Sequence, residues 1–412
     1  MNYNHLQEKD SEILEIINRE TKRQQEELEL IASENYMSLA VLETLASPLA
    51  NKYSEGYSGK RYYGGNSVID EIEELAISRA KELFSAEHVN VQSLSGSPAN
   101  LAVYSAFLEP GDKVLALRLD HGGHLTHGHK VNFSGMLYDF VHYGLNNEGL
   151  VDMQEVERLA KEHKPKMIVT GFSAYSRNLD WQAFRKIADD IGAILFADIS
   201  HIAGLVAAKV IENPIPICDV VSTTTHKTLR GPRGAIIMCK EGFAKAIDKA
   251  VFPGTQGGPH NNMTAAKAVA FKEALTEEFK IYGKQVISNA QSLAKEFLAL
   301  GYSVVSGGTD NHMFILDLSL KNLGGKEAEK ALEYVGISVS RSTIPNDPRP
   351  PFNPSGLRLG TAAISTRGMK EDDMKVLAQL MDMTISNIEN QDKLDTLKEE
   401  VKTLSQRFPL KY

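Results

Sequence analysis

The order of apolar and polar positions changes character along the chain. Residues 7 to 30 place Glu, Lys, Gln and Leu at helical spacing, which predicts an N-terminal helical arm. "IASENYMS" follows, then a loop, "NKYSEGYSGKRYYGGN", dense in Gly and Tyr. From there Val68, Ile69, Ile72, Leu75, Ala76 and Leu83 mark one helical face, the short apolar run "HVNVQSL" comes next, a helix is expected from about Ser97, and "DKVLALRL" begins another run. "KMIVTGF", "AILFADI", "DVVSTTT" and "GAIIMCK" are further short apolar runs, several of them separated by helical segments. Short continuous apolar runs alternating with helices are what a mostly parallel sheet buried on both faces requires, so the predicted class is α/β. Residues 262 to 300 read as long and helical; afterwards strands such as "YSVVSG" and "HMFILDL" mix with helices near 325 to 335 and 369 to 390. This predicts a helical arm at 1–48, a large domain at 49–276 and a smaller α+β domain at 277–412, with the boundary carried by a helix.

Length and composition narrow the class further. A chain of 412 residues is too long for one ordinary core, and 42% hydrophobic with 24% charged residues is the balance of a folded globular protein. The net charge of -8, with no long basic block, argues against a nucleic-acid partner. Cys218 and Cys239 are the only cysteines, too few for a disulfide framework, which fits a reducing compartment. The opening "MNYNHLQEKDSEILEI" is polar and acidic without a signal-like apolar region, and no apolar run approaches the ~18 residues of a membrane span. The expected location is the cytoplasm.

In open α/β sheets ligands sit beyond the carboxyl ends of the strands, so polar residues that end apolar runs carry the chemistry. "VQSLSGSPAN" ends with Ser95, Gly96 and Ser97 directly before a helix, offering free N–H groups to an anion, with Pro98 suited to the first helical position; a plain serine cap would look the same. "ILFADISHIAG" ends on Asp198, either a turn residue or an ion partner. "STTTHKTLRGPRG" places Lys227 beside His226 and Arg233, whose cationic character would favour its neutral amine; an exposed turn lysine is the plainer reading. "RLDHGGHLTHGH" clusters His121, His124, His127 and His129. These could ligate a metal, stack on a planar ligand or cap turns, and no Cys or Glu companion at ligand spacing supports a metal. Jointly these ends supply a Schiff-base lysine, an acid for a pyridine nitrogen, a phosphate cup and a flat side chain, the parts a pyridoxal phosphate enzyme needs.

"LIASENY", "NKYSEGYSGKRYYGGN", "HGGHLTHG", "GFSAYSR", "ADISHIAGLVA", "TTTHKTLRGPRG", "FPGTQGGP", "SGGTDNH", "IPNDP" and "GLRLGTAA", in this order from about residue 30 to 368, resemble the serine hydroxymethyltransferase family. The resemblance implies a fold type I pyridoxal 5'-phosphate enzyme, with a seven-stranded-type sheet, that moves the hydroxymethyl carbon of serine to tetrahydrofolate, giving glycine and 5,10-methylenetetrahydrofolate. It implies that Lys227 carries the cofactor, Asp198 pairs with the pyridinium nitrogen and His124 stacks on the ring. Ser95, Gly96, Ser97, Thr224 and His226 would line the cofactor's phosphate side, and Ser173 and His201 would lie near its phenolic oxygen. Arg358 would grip the substrate carboxylate, with Ser33 and Tyr63 positioning the substrate. Glu55 would be the acid/base carboxylate. Tyr53, Glu55, Tyr63, Gly257 and Gly258 would reach the site from a neighbouring subunit, so a homodimer, with a tetramer open, is implied. Leu119, Gly123 and Asn346 match positions lining the folate pocket, and no metal is expected.

Departures from the family pattern fall at Ala362, where many relatives have Pro, at Thr366, at Arg118 and Asp120 bordering the folate entrance, and at Ser200, a hydroxyl expected beside Asp198. None removes a catalytic group. The nearest alternative is a folate-independent aldolase cleaving threonine-like amino acids on the same scaffold. A binding protein that had lost catalysis is disfavoured by intact Lys227, Asp198, Glu55 and Arg358, and an RNA-binding side role has no support from the acidic balance.

Overall fold

A computed structural model describes residues 3–411; Met1, Asn2 and Tyr412, at the two ends of the predicted arm and smaller domain, lie outside the described residues. The predicted apolar runs form a seven-stranded sheet whose order across is His88–Asn90, Ala235–Cys239, Val220–Thr224, Ile194–Asp198, Met167–Gly171, Lys113–Leu117 and Asp139–Tyr143. From Val220–Thr224 outward to Asp139–Tyr143 the neighbours pair in parallel; Ala235–Cys239 runs antiparallel to both its neighbours. The continuous apolar character of these strands follows from burial on both faces. Val220, Phe196 and Ile237 join one core with Val103 and Tyr104, whereas the alternate positions Val221, Leu195 and Ile236 join the opposite core with Phe184 and Phe271.

Asp139–Tyr143 was not among the predicted strands. It is the sheet edge, only Tyr143 in it is fully buried, and its polar positions interrupt the apolar run that marks the central strands. The long helical stretch divides into Asn261–Ala274 and Glu277–Ala299, the second started by the Thr276 hydroxyl accepting from Phe279 N–H. Phe279, Tyr282 and Val286 of that second helix enter the large-sheet core, while Leu293, Ala294 and Phe297 enter a separate core around the smaller sheet.

The smaller sheet is antiparallel, in the order Ser303–Val304, Met313–Asp317, Gly356–Gly360 and Ser340–Ser342. Helices Gly325–Tyr334, Glu371–Ser386 and Gln391–Gln406 cover it; the last, absent from the sequence prediction, buries Leu394, Leu397, Val401 and Leu404. The end of the N-terminal arm, Leu28–Glu29, pairs in parallel with Ile337–Ser338. Buried Arg367 ties arm and C-terminal segment together, donating to the carbonyls of Gln24, Gln25, Glu27, Ser405 and Phe408 at 2.6–3.0 Å. No helix among the described residues is long and apolar enough to cross a membrane.

Candidate active site

The carboxyl ends of the sheet strands open into a cavity of about 430 Å³. Ser95, Gly96, Ser97, His124, Ser173, Asp198, His201, Thr224, His226 and Lys227 all line it from the large sheet; Ser33 comes from the arm and Arg358 from the smaller sheet. The topology therefore brings together residues as far apart in sequence as Ser33 and Arg358. The loop holding His124 is pinned to the loop after Gly171 by Ser173 N–H donating to Gly122 O at 2.7 Å. Asn35 Nδ2 donates to Lys227 O at 3.0 Å, and Thr366 Oγ donates to Asn35 Oδ1 at 2.7 Å, so the departure at Thr366 supports the backbone of the lysine loop.

Each end has a physical signature. Ser95 is the N-cap of helix Gly96–Phe107, and with Pro98 lacking an N–H, the amides of Gly96 and Ser97 are left at the helix start. A Cβ at Gly96 would stand 2.8 Å from the Thr224 methyl, so only glycine lets this turn close on the neighbouring strand end. His226 is pushed down to about 3 by burial and by the adjacent Lys227 and Arg233 charges, and its Nδ1 is buried without a partner. A cup of amides, hydroxyls and a buried, unpartnered imidazole nitrogen fits a phosphate.

Burial lowers the Lys227 amine to about 8; Asp198 opposes this, and Arg358 and Arg233 reinforce it. Burial also brings Arg358 down to about 10. Its Nη1 donates to Ser173 O at 2.7 Å, and among the described residues no carboxylate pairs with it. A largely desolvated guanidinium without an anion is costly, and a ligand carboxylate would remove that cost.

Asp198 ends the central strand Ile194–Asp198. Burial alone would raise its pKa, but His127, His124 and the Ser200 side chain outweigh that and hold it well below the usual carboxylate range. Ser200 N–H donates to Asp198 Oδ1 at 3.0 Å, whereas the Ser200 hydroxyl accepts from Thr224 N–H at 3.1 Å. The extra hydroxyl beside Asp198 thus also braces the lysine strand. An ionised buried acid suits pairing with a protonated pyridine nitrogen. Together with the lysine and the phosphate cup, the cavity passes the chemical test for pyridoxal phosphate.

The remaining candidates do not line this cavity. Tyr53, Glu55, Tyr63, Gly257 and Gly258 form a second cluster: Tyr53 Oη donates to Glu55 Oε1 at 3.0 Å, the Tyr53 and Tyr63 rings meet edge-on at 5.1 Å, and a Cβ on Gly257 or Gly258 would stand 3.2 Å from Glu55 or from the Tyr53 ring. Its base is rigid. Arg61 donates to Ser54 O and Gly56 O at 3.0 and 2.7 Å while pairing with Asp70 and buried Glu73, and Gly56 takes a φ of +94° where a Cβ would strike Lys60 O. Leu119, Gly123 and Asn346 lie on segments joined by Thr343 Oγ donating to Asp120 O at 3.0 Å, beside the exposed Arg118–Asp120 ion pair. Of the four loop histidines, His127 packs against the His124 ring at 5.8 Å and lies 3.5 Å from Asp198, whereas His121 Nδ1 accepts from Leu145 N–H and His129 Nδ1 accepts from Val131 N–H. Among the described residues no three His, Cys, Asp or Glu side chains are grouped to hold a metal ion.

Glu34 and Phe172 of the cavity lining escaped the sequence reading, as did buried residues beside it, His312 and Lys267 among them. His312 lies fully buried with its Nε2 3.3 Å from His201 Nδ1; burial drives His201 well down and His312 to about 3, so the pair is neutral. "SGGTDNH" contained it without marking it. Lys267, also fully buried, donates to Val91 O, Ser93 O and Ala235 O at 2.6–3.0 Å, bracing the turn that leads into the phosphate cup. Burial presses this amine down to about 7, but three carbonyl acceptors need three N–H donors, which only the charged form possesses. A lysine on an apolar helical face was the only available signal.

A doubly wound sheet with amine, acid and anion cup at its strand ends is the architecture of the fold type I pyridoxal phosphate enzymes, and this chain is of that class. The sequence model of the family described as serine hydroxymethyltransferase matches residues 6–381. A serine hydroxymethyltransferase from Desulfotalea psychrophila is 55% identical over 404 residues, covering 98% of this chain and 95% of that protein. The chain belongs to the serine hydroxymethyltransferase family.

Proposed function

We propose the following division of labour for the reaction that this membership assigns to the chain, the reversible transfer of the serine hydroxymethyl carbon to tetrahydrofolate. The family match favours this reaction over folate-independent aldol cleavage. The observation that carries the roles is the convergence of Lys227, Asp198, Arg358 and the Gly96 turn on one cavity. Ser95, Gly96, Ser97, Thr224 and His226 would hold the phosphate of pyridoxal 5'-phosphate, Asp198 its ring nitrogen, and Ser173 and His201 its phenolic side, with His124 against the ring face. Bound there, the cofactor would supply an electron sink conjugated to the amino-acid Cα.

Arg358 binds the serine carboxylate, with Ser33 beside it. Lys227, neutral in an appreciable fraction at neutral pH, is the nucleophilic amine and takes or returns protons at Cα. Glu55 holds the proton at the serine hydroxyl, assisted by Tyr63. Tyr53, Glu55, Tyr63, Gly257 and Gly258 serve the site of a second copy, which makes the working unit a homodimer. Leu119, Gly123 and Asn346 border the tetrahydrofolate site. The chain divides into an arm at 1–48, a cofactor domain at 49–276 and a smaller domain at 277–412, and it works in the cytoplasm, a reading supported by two buried, unpaired cysteines.

The test is the visible spectrum of the protein with pyridoxal phosphate, then with glycine, then with tetrahydrofolate. The expected result is a bound-cofactor band that responds to glycine and gives a new, strong band only when folate joins it. A spectrum that responds to glycine and ignores folate would return the aldolase reading; a protein that stays colourless with added cofactor would overturn the assignment of roles.

A further inference from the structure

Asn100 has no role in the division of labour above, yet its side chain links Asp198, Thr126 and Ser222 behind the ring site. It lies one turn along the helix from Gly96 and is fully buried. Its Nδ2 donates to Asp198 Oδ2 at 2.9 Å and to Thr126 Oγ at 2.8 Å, and its Oδ1 accepts from Ser222 Oγ at 2.6 Å. Thr126 Oγ lies 2.8 Å from His124 Nδ1, and the Thr126 N–H donates to the same nitrogen at 3.2 Å. Tyr104 Oη donates to Thr126 O at 2.8 Å and fixes that backbone.

The protons in this chain admit one arrangement. The amide cannot be flipped, because its oxygen would then face the Asp198 carboxylate, acceptor against acceptor. Both amide hydrogens are spent, and because the Thr126 N–H already donates to His124 Nδ1, that nitrogen carries no proton, so Thr126 Oγ, which accepts from Asn100, turns its own hydrogen to it. That nitrogen therefore carries a lone pair, and the imidazole proton sits on Nε2. Burial, which lowers His124 to about 4, keeps the ring neutral in this form.

We infer that Asn100 is a positioning residue that orients the Asp198 carboxylate and, through Thr126, locks His124 as its Nε2–H tautomer. The inference rests on the cofactor reading above for what these two groups face. Because Asn100 shares a helix with the Gly96 turn, one rigid element sets both the phosphate anchor and the acid that meets the far edge of the ring.

Two measurements on the full-length protein test this. In cofactor-free protein with 15N-labelled histidine, the His124 signal, assigned by its loss in His124→Gln, should show an unprotonated Nδ1, and Thr126→Val should shift it toward a mixture of tautomers. A protonated Nδ1 in the parent would overturn the proposal. In the second, Asn100→Asp, equal in size but with acceptors in place of both donors, should weaken pyridoxal phosphate binding about tenfold to a hundredfold and change the visible circular dichroism of the bound cofactor. Parental affinity and dichroism in that variant would sink the idea. Should it fail to fold, Ser222→Ala, which removes the hydroxyl that holds the amide oxygen, is expected to change the same dichroism, and no change there would count equally against the proposal. A parent that binds no pyridoxal phosphate would instead bring down the cofactor reading itself, whatever the histidine tautomer.

Discussion

The strand-end cavity and the Tyr53–Glu55–Tyr63 cluster are both built from residues that carry the family resemblance, yet they are physically unlike. In the cavity nearly every group is desolvated and strongly perturbed: an amine lowered to about 8, imidazoles to about 4 and 3, and an acid held ionised. In the loop cluster Tyr53 and Tyr63 stand 53% and 51% exposed, and the only side-chain hydrogen bond Glu55 makes within the described chain goes to Tyr53. Two half-exposed aromatic rings around a carboxylate, on a loop whose base is anchored by buried Arg61, form a rigid projection rather than a mobile tip. The preorganised cavity gathers its perturbed groups within one chain. The half-exposed projection is the part that the proposal above assigns to a second copy.

The sharpest way to break this comparison is to disable each region separately. Lys227→Ala should lower serine turnover by roughly 10³-fold or more while leaving pyridoxal phosphate bound noncovalently, as read by absorbance after gel filtration. Near-parental turnover would detach the cavity from the chemistry. Glu55→Gln should cost roughly 10² to 10³ in turnover with cofactor affinity unchanged. Mixing Glu55→Gln with Lys227→Ala protein should then restore a measurable fraction of activity, since a hybrid dimer contains one site with both groups intact. Absence of recovery after proven subunit exchange would place the two regions in one chain's site.

Subtler contrasts follow within the cavity. Arg358→Lys keeps the charge but loses the planar fork, and should raise KM for serine about tenfold to a hundredfold with a smaller change in kcat. Finally, because a neutral amine is required for attachment and Lys227 titrates at about 8, the rate of covalent pyridoxal phosphate capture should climb about tenfold per pH unit below that value and level off above it. A stopped-flow rate flat across this range would remove Lys227 as the titrating nucleophile.

Much of this was readable in the chain. Short continuous apolar runs announced the central strands, because a strand covered on both faces has no polar positions to blur it. The edge strand Asp139–Tyr143 was missed for the opposite reason, and Gln391–Gln406 because a polar helix with four buried apolar positions is a thin stripe. Candidate side chains such as Lys227, Asp198 and His124 were legible since they interrupt apolar runs at strand ends. Asn100 and Lys267 were not, since an amide or amine inside a helix acquires meaning only from what the fold sets opposite it.

The sequence by itself therefore determined the α/β class, the strand ends that bear chemistry and the family resemblance, all of which depend on local periodicity and on residue types in order. Tertiary structure alone decided that Ser33, Lys227 and Arg358 share one cavity while Glu55 stands outside it. It also decided which buried groups hold charge, because desolvation and hydrogen-bond polarity arise only between elements brought together by packing.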